Sequence, residues 1–398
     1  MLDISKRPSL KYVLFGNLYF AEGIQFALST TILILYFTEK EISVATATLV
    51  VGVATSPWIL KFIYGPITDF LIKYGRKPII IFGGLISGIC LLPLGFIDPV
   101  DALLPFTLLL FISHSGVMFL DVSADAWAIQ TTEYEKRGKV NAAMTGGLFL
   151  GWGLGSPVLA YIANNFGFGM AFLTTAFLVF LTIVLPIFVK EVKIKIERKK
   201  IASILIKEFK KKNTILVAFL SMITAMNFGL LLLIIPEYMM NVLNLDVAQT
   251  GLIAGLYPMG TVFGAILGGF MADKLGRRVT LFIFLPFLIL FSSLLIFAIS
   301  WWILAIIYLI IGFLIGGSGY SAEAALFMDV TNPKIAATQY SILASIHNFG
   351  DIFSATISGS LVLMLGYNRV FLYAAWIIGP ALILLYFVKE KKVIKRKI

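Results

Sequence analysis

The sequence is poor in the residues that carry most chemistry. Its one cysteine, Cys90, lies inside an apolar segment, which excludes an internal disulfide and any cysteine-built metal site. Its two histidines, His114 and His347, are far apart and belong to no His-Glu-x-x-His pattern. No nucleophile, base and orienting group converge in the sequence, so an intramembrane enzyme has nothing to work with. A Gly-rich phosphate loop ending in Lys-Ser/Thr is also missing, which argues against ATP-driven chemistry by this chain. No cofactor and no metal are implied. Charge is scarce too, at 13% of residues, and the net charge of +11 comes from short loops between apolar runs. Nucleic-acid binding would need a basic stripe with interleaved aromatics, so nucleic acid is not an expected partner.

What is abundant is apolar surface: 59% of residues are hydrophobic and the mean hydropathy is +0.96. A soluble chain of 398 residues cannot hide that much, whereas a polytopic membrane protein need not. Twelve apolar segments are expected, at roughly 11–37, 44–64, 79–97, 102–130, 139–163 and 168–189, then 213–240, 247–270, 279–299, 301–328, 336–365 and 369–388. The first follows Lys6, Arg7 and Lys11; it is too long for a signal-peptide core and lacks a small-residue cleavage site. About 29 of the 32 Lys and Arg fall on one side of this layout, leaving Lys40 and Arg369 opposite and Lys61 within a span. Both termini are therefore expected in the cytoplasm, with the protein integral to the cell membrane and in contact with its lipids. The basic segment 190–212 is the one real linker, read either as an amphipathic helix on anionic headgroups or as a solvated connector.

A repeat divides the chain. Gly65-Pro-Ile-Thr-Asp69 with Gly75-Arg76-Lys77 returns as Gly269-Phe-Met-Ala-Asp273 with Gly276-Arg277-Arg278. Independently, Val122-Ser-Ala-Asp125-Ala matches Tyr320-Ser-Ala-Glu323-Ala, and the same register pairs Asn141 with Gln339. The expected fold is an all-α integral membrane protein, with twelve transmembrane helices in two pseudo-symmetric six-helix bundles, 1–189 and 213–398. Two roles are open for the repeated Asp and Arg: charge that only sets topology, or a latch in which each Gly permits a tight turn while Asp and Arg tie helix ends together. Gly65, Asp69, Gly75, Arg76, Gly269, Asp273, Gly276 and Arg277 are the candidate gating residues.

These motifs resemble the major facilitator superfamily, over essentially the whole chain. The second copy keeps that family's spacing; the first departs from it, with five residues between Asp69 and Gly75. Together with Pro57-Trp58-Ile-Leu-Lys61, Asp121-Val-Ser-Ala-Asp125-Ala-Trp127, Glu135-Lys-Arg137-Gly138 and Tyr19-Phe-Ala-Glu22-Gly23, that departure resembles the branch of the AmpG permeases and acetyl-CoA transporters, with the folate–biopterin transporters nearby. The resemblance implies a carrier of anionic or polar metabolites driven by protons. The antiporter signature of the fifth span is broken, with Ser156-Pro157 after Gly155, which counts against drug/proton antiport.

Ionisable groups inside spans must be paired, neutral or water-facing. Asp121 and Asp125 share one face of span 4, and the expectation is a Lys61–Asp125 pair that leaves Asp121 free to take up a proton; a static salt bridge between two helices is the other reading. Glu22 has the apolar Met226 as its repeat partner, so it is a candidate for substrate or proton chemistry. His347 and Asp351, one turn apart, form either a proton relay or a packing hydrogen bond. His114 and Glu323 are also candidates for substrate or proton chemistry, with simpler readings beside that: His114 a packing residue, Glu323 meeting a backbone end; Asp329 sits at the cytoplasmic surface. Gln25, Asn227, Trp152 and Trp376 are candidate cavity contacts, while Gly146, Gly147, Gly151, Gly155, Gly312 and Gly316 allow close helix approach. The expected function is secondary active transport of a small polar or anionic metabolite by alternating access, proton-coupled and monomeric; multidrug or lipid efflux on the same fold is the alternative.

Overall fold

The computed structural model describes residues 8–132, 137–191, 201–332 and 335–390. The reading of Lys6 and Arg7, of Glu135 and Lys136, and of linker residues 192–200 lies outside the described residues. Among the described residues the regular elements are helices, and twelve are long and apolar enough to cross a membrane. Spans 1 to 6 are Ser9–Glu39, Val44–Tyr74, Arg76–Leu94, Leu103–Thr131, Lys139–Phe166 and Phe168–Phe188. Spans 7 to 12 are Lys212–Asn241, Val247–Leu275, Arg277–Phe297, Trp301–Val330, Thr338–Leu365 and Tyr367–Phe387.

One difference from the sequence reading matters. Span 2 runs on to Tyr74, past the expected end at Tyr64, and span 8 runs on to Leu275, so Gly65, Asp69, Gly269 and Asp273 are helical rather than in loops. The tight turn belongs to Gly75 (φ 100°) and Gly276 (φ 98°) alone. A side chain at either would be strained in that left-handed conformation.

Several spans are interrupted. Span 2 has a short 3-10 turn at Ser56–Trp58, where Pro57 removes a backbone donor. Wide π-helical turns occupy Leu28–Ile32 in span 1 and Ser318–Glu323 in span 10. Such insertions are common where helices carry function.

Two compact units are present. One comprises the described residues of Met1–Ile196 with Pro236–Gly255; the other comprises those of Glu197–Ile235 and Leu256–Ile398. Glycine sets the helix contacts inside each. In the first, a Cβ on Gly23 would lie 2.0 Å from the Leu148 carbonyl oxygen, and one on Gly147 would lie 2.1 Å from that of Gly16, so spans 1 and 5 meet backbone to backbone. In the second, Gly264 and Gly316 bring spans 8 and 10 together in the same way, with the Phe313 and Thr261 carbonyl oxygens 1.8 and 2.1 Å from the added atoms. Lipid offers no reward for burying leucine between helices, so close backbone packing takes that role.

The linker ends in a short helix, Ile201–Phe209. Its Glu208 is buried, accepts a hydrogen bond from Asn332 Nδ2 at 2.8 Å and pairs with Lys211 at 2.5 Å. Lys211, then Asn332, hold the Glu208 carboxyl below the usual glutamate range. Its stabilising effect is therefore complete above the ordinary glutamate pKa and is lost as pH falls through the lowered one. Acidification is expected to expose this helix to protease in the purified protein, with no release on the alkaline side; a trend of opposite sign would refute the assignment.

The two adjacent glycines of span 5 provide a second test. Gly147→Ala is expected to destabilise by about 1–3 kcal/mol, because the clash is with backbone that cannot rotate away. Gly146 meets nothing within 4 Å, and Gly146→Ala is expected to be neutral or stabilising by up to about 1 kcal/mol. Thermal unfolding in detergent compares the pair directly.

Candidate functional site

Four side chains from three spans of the first unit close a ring. Lys61 Nζ lies 2.7 Å from Asp121 Oδ2 and 3.1 Å from Asp125 Oδ2. The Tyr19 phenol oxygen lies 2.9 Å from Asp121 Oδ1 and is also in contact with Asp125 Oδ1. The expected Lys61–Asp125 pair exists, but Asp121 is not free: Lys61 bridges both carboxyls and stands closer to the buried one. That preference is physical, because Asp121 is 1% exposed and has no water to replace a counter-ion, whereas the Asp125 side chain is 35% exposed. Glu22, almost fully buried, lies in the field of Asp121, Lys61 and Asp125, and its Oε2 has no hydrogen-bond partner.

Beyond the ring, two more polar rungs tie the helices of this unit together. Gln25 donates to Ser113 Oγ at 2.9 Å and accepts from Ser87 Oγ at 2.8 Å. His114 Nε2 meets Ser29 Oγ at 2.8 Å, while its Nδ1 accepts from the Trp58 indole N–H at 3.3 Å. An indole nitrogen can only donate, so His114 Nδ1 carries no proton and Nε2 donates to Ser29. His114 is thus a positioning residue for Trp58, in keeping with the packing role, and Gln25 is engaged between helices rather than open to a cavity. Trp152 packs edge-on against Phe26, with ring centroids 4.8 Å apart, and is buried.

The second unit is arranged differently. Glu323 takes the repeat position of Asp125, but the repeat positions of Lys61 and Tyr19 hold Ala265 and Ile223. Both carboxyl oxygens of Glu323 are buried and have no hydrogen-bond partner among the described residues. Thr224 is its polar neighbour, yet the Thr224 hydroxyl has the Leu220 and Ser221 carbonyls of its own helix within reach and gives its one proton to that side. Glu323 therefore meets no backbone end. Of the two readings of His347, relay or packing hydrogen bond, its position favours the second: it turns to the Ser221 backbone of span 7, and Asp351 Oδ1 is buried with no hydrogen-bond partner among the described residues. Asn227 donates to the Ala374 carbonyl (2.7 Å) and to Ser292 Oγ (3.2 Å), tying span 7 to spans 12 and 9 instead of facing a cavity. Trp376 is 64% exposed on the outside of its helix, also away from the expected role.

The repeated turn motifs hold helix ends, and their partners were not all foreseen. Arg76 pairs with Asp69 at 2.5 Å, as the latch reading expects. In the second copy Arg277 pairs with Asp329 at 3.5 Å, while Asp273 is exposed. Glu191 accepts from the backbone N–H groups of Arg76 and Lys77, and Glu390 from that of Arg278. In return Lys77 donates to the Ile187 and Val189 carbonyls, and Arg278 to that of Tyr386. The start of span 3 and the end of span 6 so cap one another, and spans 9 and 12 do the same. The signal lay in the sequence as Phe-Val-Lys-Glu at 188–191 and again at 387–390.

Asp69→Asn and Asp329→Asn are expected to lower the unfolding temperature, each by removing the partner of a largely buried arginine, and Asp273→Asn is not. Equal effects from Asp69→Asn and Asp273→Asn would contradict this asymmetry.

Comparison with known proteins places the chain. The Major Facilitator Superfamily model matches residues 15–223 and 217–398. The chain is 26% identical to the transporter AmpG 1 of Rickettsia bellii, over 89% of its own length and 93% of that protein's. It is 24% identical to the anhydromuropeptide permease of Escherichia coli K12, over 92% and 77% of the two lengths. Its fold is that of a D-xylose–proton symporter crystal structure (TM-score 0.73, 16% identity, 98% of both chains) and of the nucleoside transporter NupG (TM-score 0.77, 13% identity, 96% and 100%). These relatives are transporters, not enzymes. With two matched halves, twelve spans and turn motifs repeated in each, the chain belongs to the major facilitator superfamily of integral membrane transporters.

Proposed function

We propose that this protein is a secondary active transporter that moves a small polar or anionic metabolite by alternating access and couples the movement to protons. It acts in the cell membrane as a monomer, with bundles 1–189 and 213–398 joined by the cytoplasmic linker 190–212 and with both termini in the cytoplasm. The observation that carries this reading is the concentration of ionisable groups inside the spans: Tyr19, Glu22, Lys61, Asp121 and Asp125 in one unit, and Glu323 and Asp351 in the other. Buried ionisable groups are costly in a bilayer and mark pathways for ions and polar cargo; a carrier of lipophilic compounds has no use for so many.

The two units offer different chemistry. Three carboxyl groups face one ammonium in the first, so this side suits the hydroxyl, amide or amino groups of a cargo, and an anionic end is received elsewhere. In the second, Glu323 and Asp351 lack ion-pair partners among the described residues and suit proton exchange. The name of the Escherichia coli relative makes an anhydromuropeptide the first cargo to try.

The test is uptake into proteoliposomes of labelled anhydromuropeptide, acetyl-CoA, a pterin, a nucleoside and a sugar, with and without an imposed proton gradient. Thermal stabilisation by the same panel is measured in parallel, since a ligand at a hundred times its Kd adds about 2.7 kcal/mol. Gradient-dependent uptake of one polar compound, reduced at least tenfold in Glu323→Gln, is the expected outcome. Stabilisation by lipophilic cations or lysolipids alone would replace this reading with efflux.

A further inference from the structure

The ring in the first unit contains fewer hydrogens than its contacts require. The Tyr19 phenol has one proton and can donate it to one acceptor. Its oxygen nevertheless lies within hydrogen-bonding distance of a carboxyl oxygen of both Asp121 and Asp125. If both carboxyls were ionised, one of these contacts would set a phenol lone pair against a carboxylate oxygen with no hydrogen between them. Lys61 cannot supply the missing one, because it approaches the other oxygen, Oδ2, of each carboxyl.

From this count we infer that the ring stores one exchangeable proton, and that Tyr19 relays it between Asp125 and Asp121. One carboxyl is then a neutral acid donating to the phenol oxygen, and the phenol donates to the other, ionised carboxylate. Every contact in the ring is satisfied. The charges balance as well: one ammonium faces one carboxylate, where two carboxylates would leave a net negative charge beside the nearly buried Glu22. The charged and titratable groups that face the ring are Tyr19 and Glu22 from span 1, Lys61 from span 2, and Asp121 and Asp125 from span 4.

Exposure gives the relay a direction. Asp125 is the member open to the surroundings and Asp121 the enclosed one. A proton from water arrives on Asp125 Oδ1 and passes to the Tyr19 oxygen as the phenol releases its own proton to Asp121 Oδ1. One proton enters, one is stored, and no group other than the three oxygens changes its bonding. The repeat supports a specific role, since Ile223 and Ala265 replace Tyr19 and Lys61 in the other half and Glu323 there has no hydrogen-bond partner among the described residues. Tyr19 thus joins the site as a residue that the sequence marked only as part of a motif.

This inference rests on the transporter reading but is tested apart from it. Infrared difference spectra of the full-length protein in liposomes report the C=O stretch of protonated carboxylic acids. Glu323→Gln with Asp351→Asn serves as the background, to remove the two buried acids of the other unit. Asp121→Asn and Asp125→Asn are each expected to abolish the same acid band, because asparagine mimics the neutral acid and leaves the remaining carboxylate to Lys61. Tyr19→Phe is expected to shift that band and to slow its exchange in heavy water, since the relay oxygen is gone. If either Asn variant fails to fold, the other and Tyr19→Phe still decide the question. An acid band unchanged in the folded Asn variant and in Tyr19→Phe would mean an ionised pair and would overturn the inference. Uptake separates the two levels: gradient-driven uptake with no ring band leaves the transporter reading standing and moves the proton to another site. A ring band that responds as described, in a protein whose uptake ignores the gradient, leaves the stored proton standing and removes proton coupling.

Discussion

In a hydrocarbon surrounding, two helices gain nothing by burying leucine against each other, because lipid tails are as apolar as the side chains. What remains to hold them is close backbone contact and polar groups that must find partners within the protein. Both units are built on that constraint. Glycines bring span 1 against span 5 and span 8 against span 10 until carbonyl oxygens stand where a Cβ would be. Where the helices do not touch this closely, hydrogen-bonded rungs cross the gap: the Tyr19 ring, Gln25 with Ser87 and Ser113, and Ser29 with His114 and Trp58. By the criterion of its partners, a buried polar residue such as Gln25 is a fastener, whereas the Tyr19 ring both fastens its helices and, as inferred, holds an exchangeable proton.

That criterion explains which parts of the molecule were legible in the sequence. Twelve spans, the duplication and the positions of Gly75 and Gly276 follow from apolar run length and repeated motifs, which are local properties. Partner choice is not local. Asp121 and Asp125 could be placed on one face of a helix, but which of them Lys61 would approach depends on the exposure of each. Gln25 and Asn227 were picked for being polar in apolar helices, and both proved to be fasteners whose amides are engaged by neighbours. The helix caps at Glu191 and Glu390 join residues more than a hundred positions apart, so the Phe-Val-Lys-Glu repeat reads as ordinary loop charge until the fold brings it to the turns.

The duplication also shows where the two halves took different roles. The glycines Gly260, Gly264 and Gly268 of span 8 correspond, in the register of the turn motif, to Ser56, Leu60 and Tyr64 of span 2. In the register that matches Asp125 with Glu323, Gly312, Gly316 and Gly317 of span 10 correspond to His114, Met118 and Phe119 of span 4. In one half the helix pair is therefore closed by backbone contact, and in the other the equivalent pair is bridged by Trp58 on His114, Tyr64 on Phe119 and Lys61 on two carboxyls.

A gap bridged by side chains can change its occupants, whereas one closed by backbone cannot without moving the helices. The side chains between spans 2 and 4 include every member of the ionic ring except Tyr19, which reaches it from span 1. Removing or adding one proton there changes the charge of the ring but need not change the path of any helix. The second half presents the converse: a glycine seam between spans 8 and 10, and a buried Glu323 carboxyl with no hydrogen-bond or ion-pair partner among the described residues. One repeat thus carries a self-compensated charge cluster and the other an uncompensated one. A carboxyl buried in a bilayer is costly unless it is protonated or meets a cationic group, and Glu323 in that position is in keeping with the proton coupling proposed for this carrier.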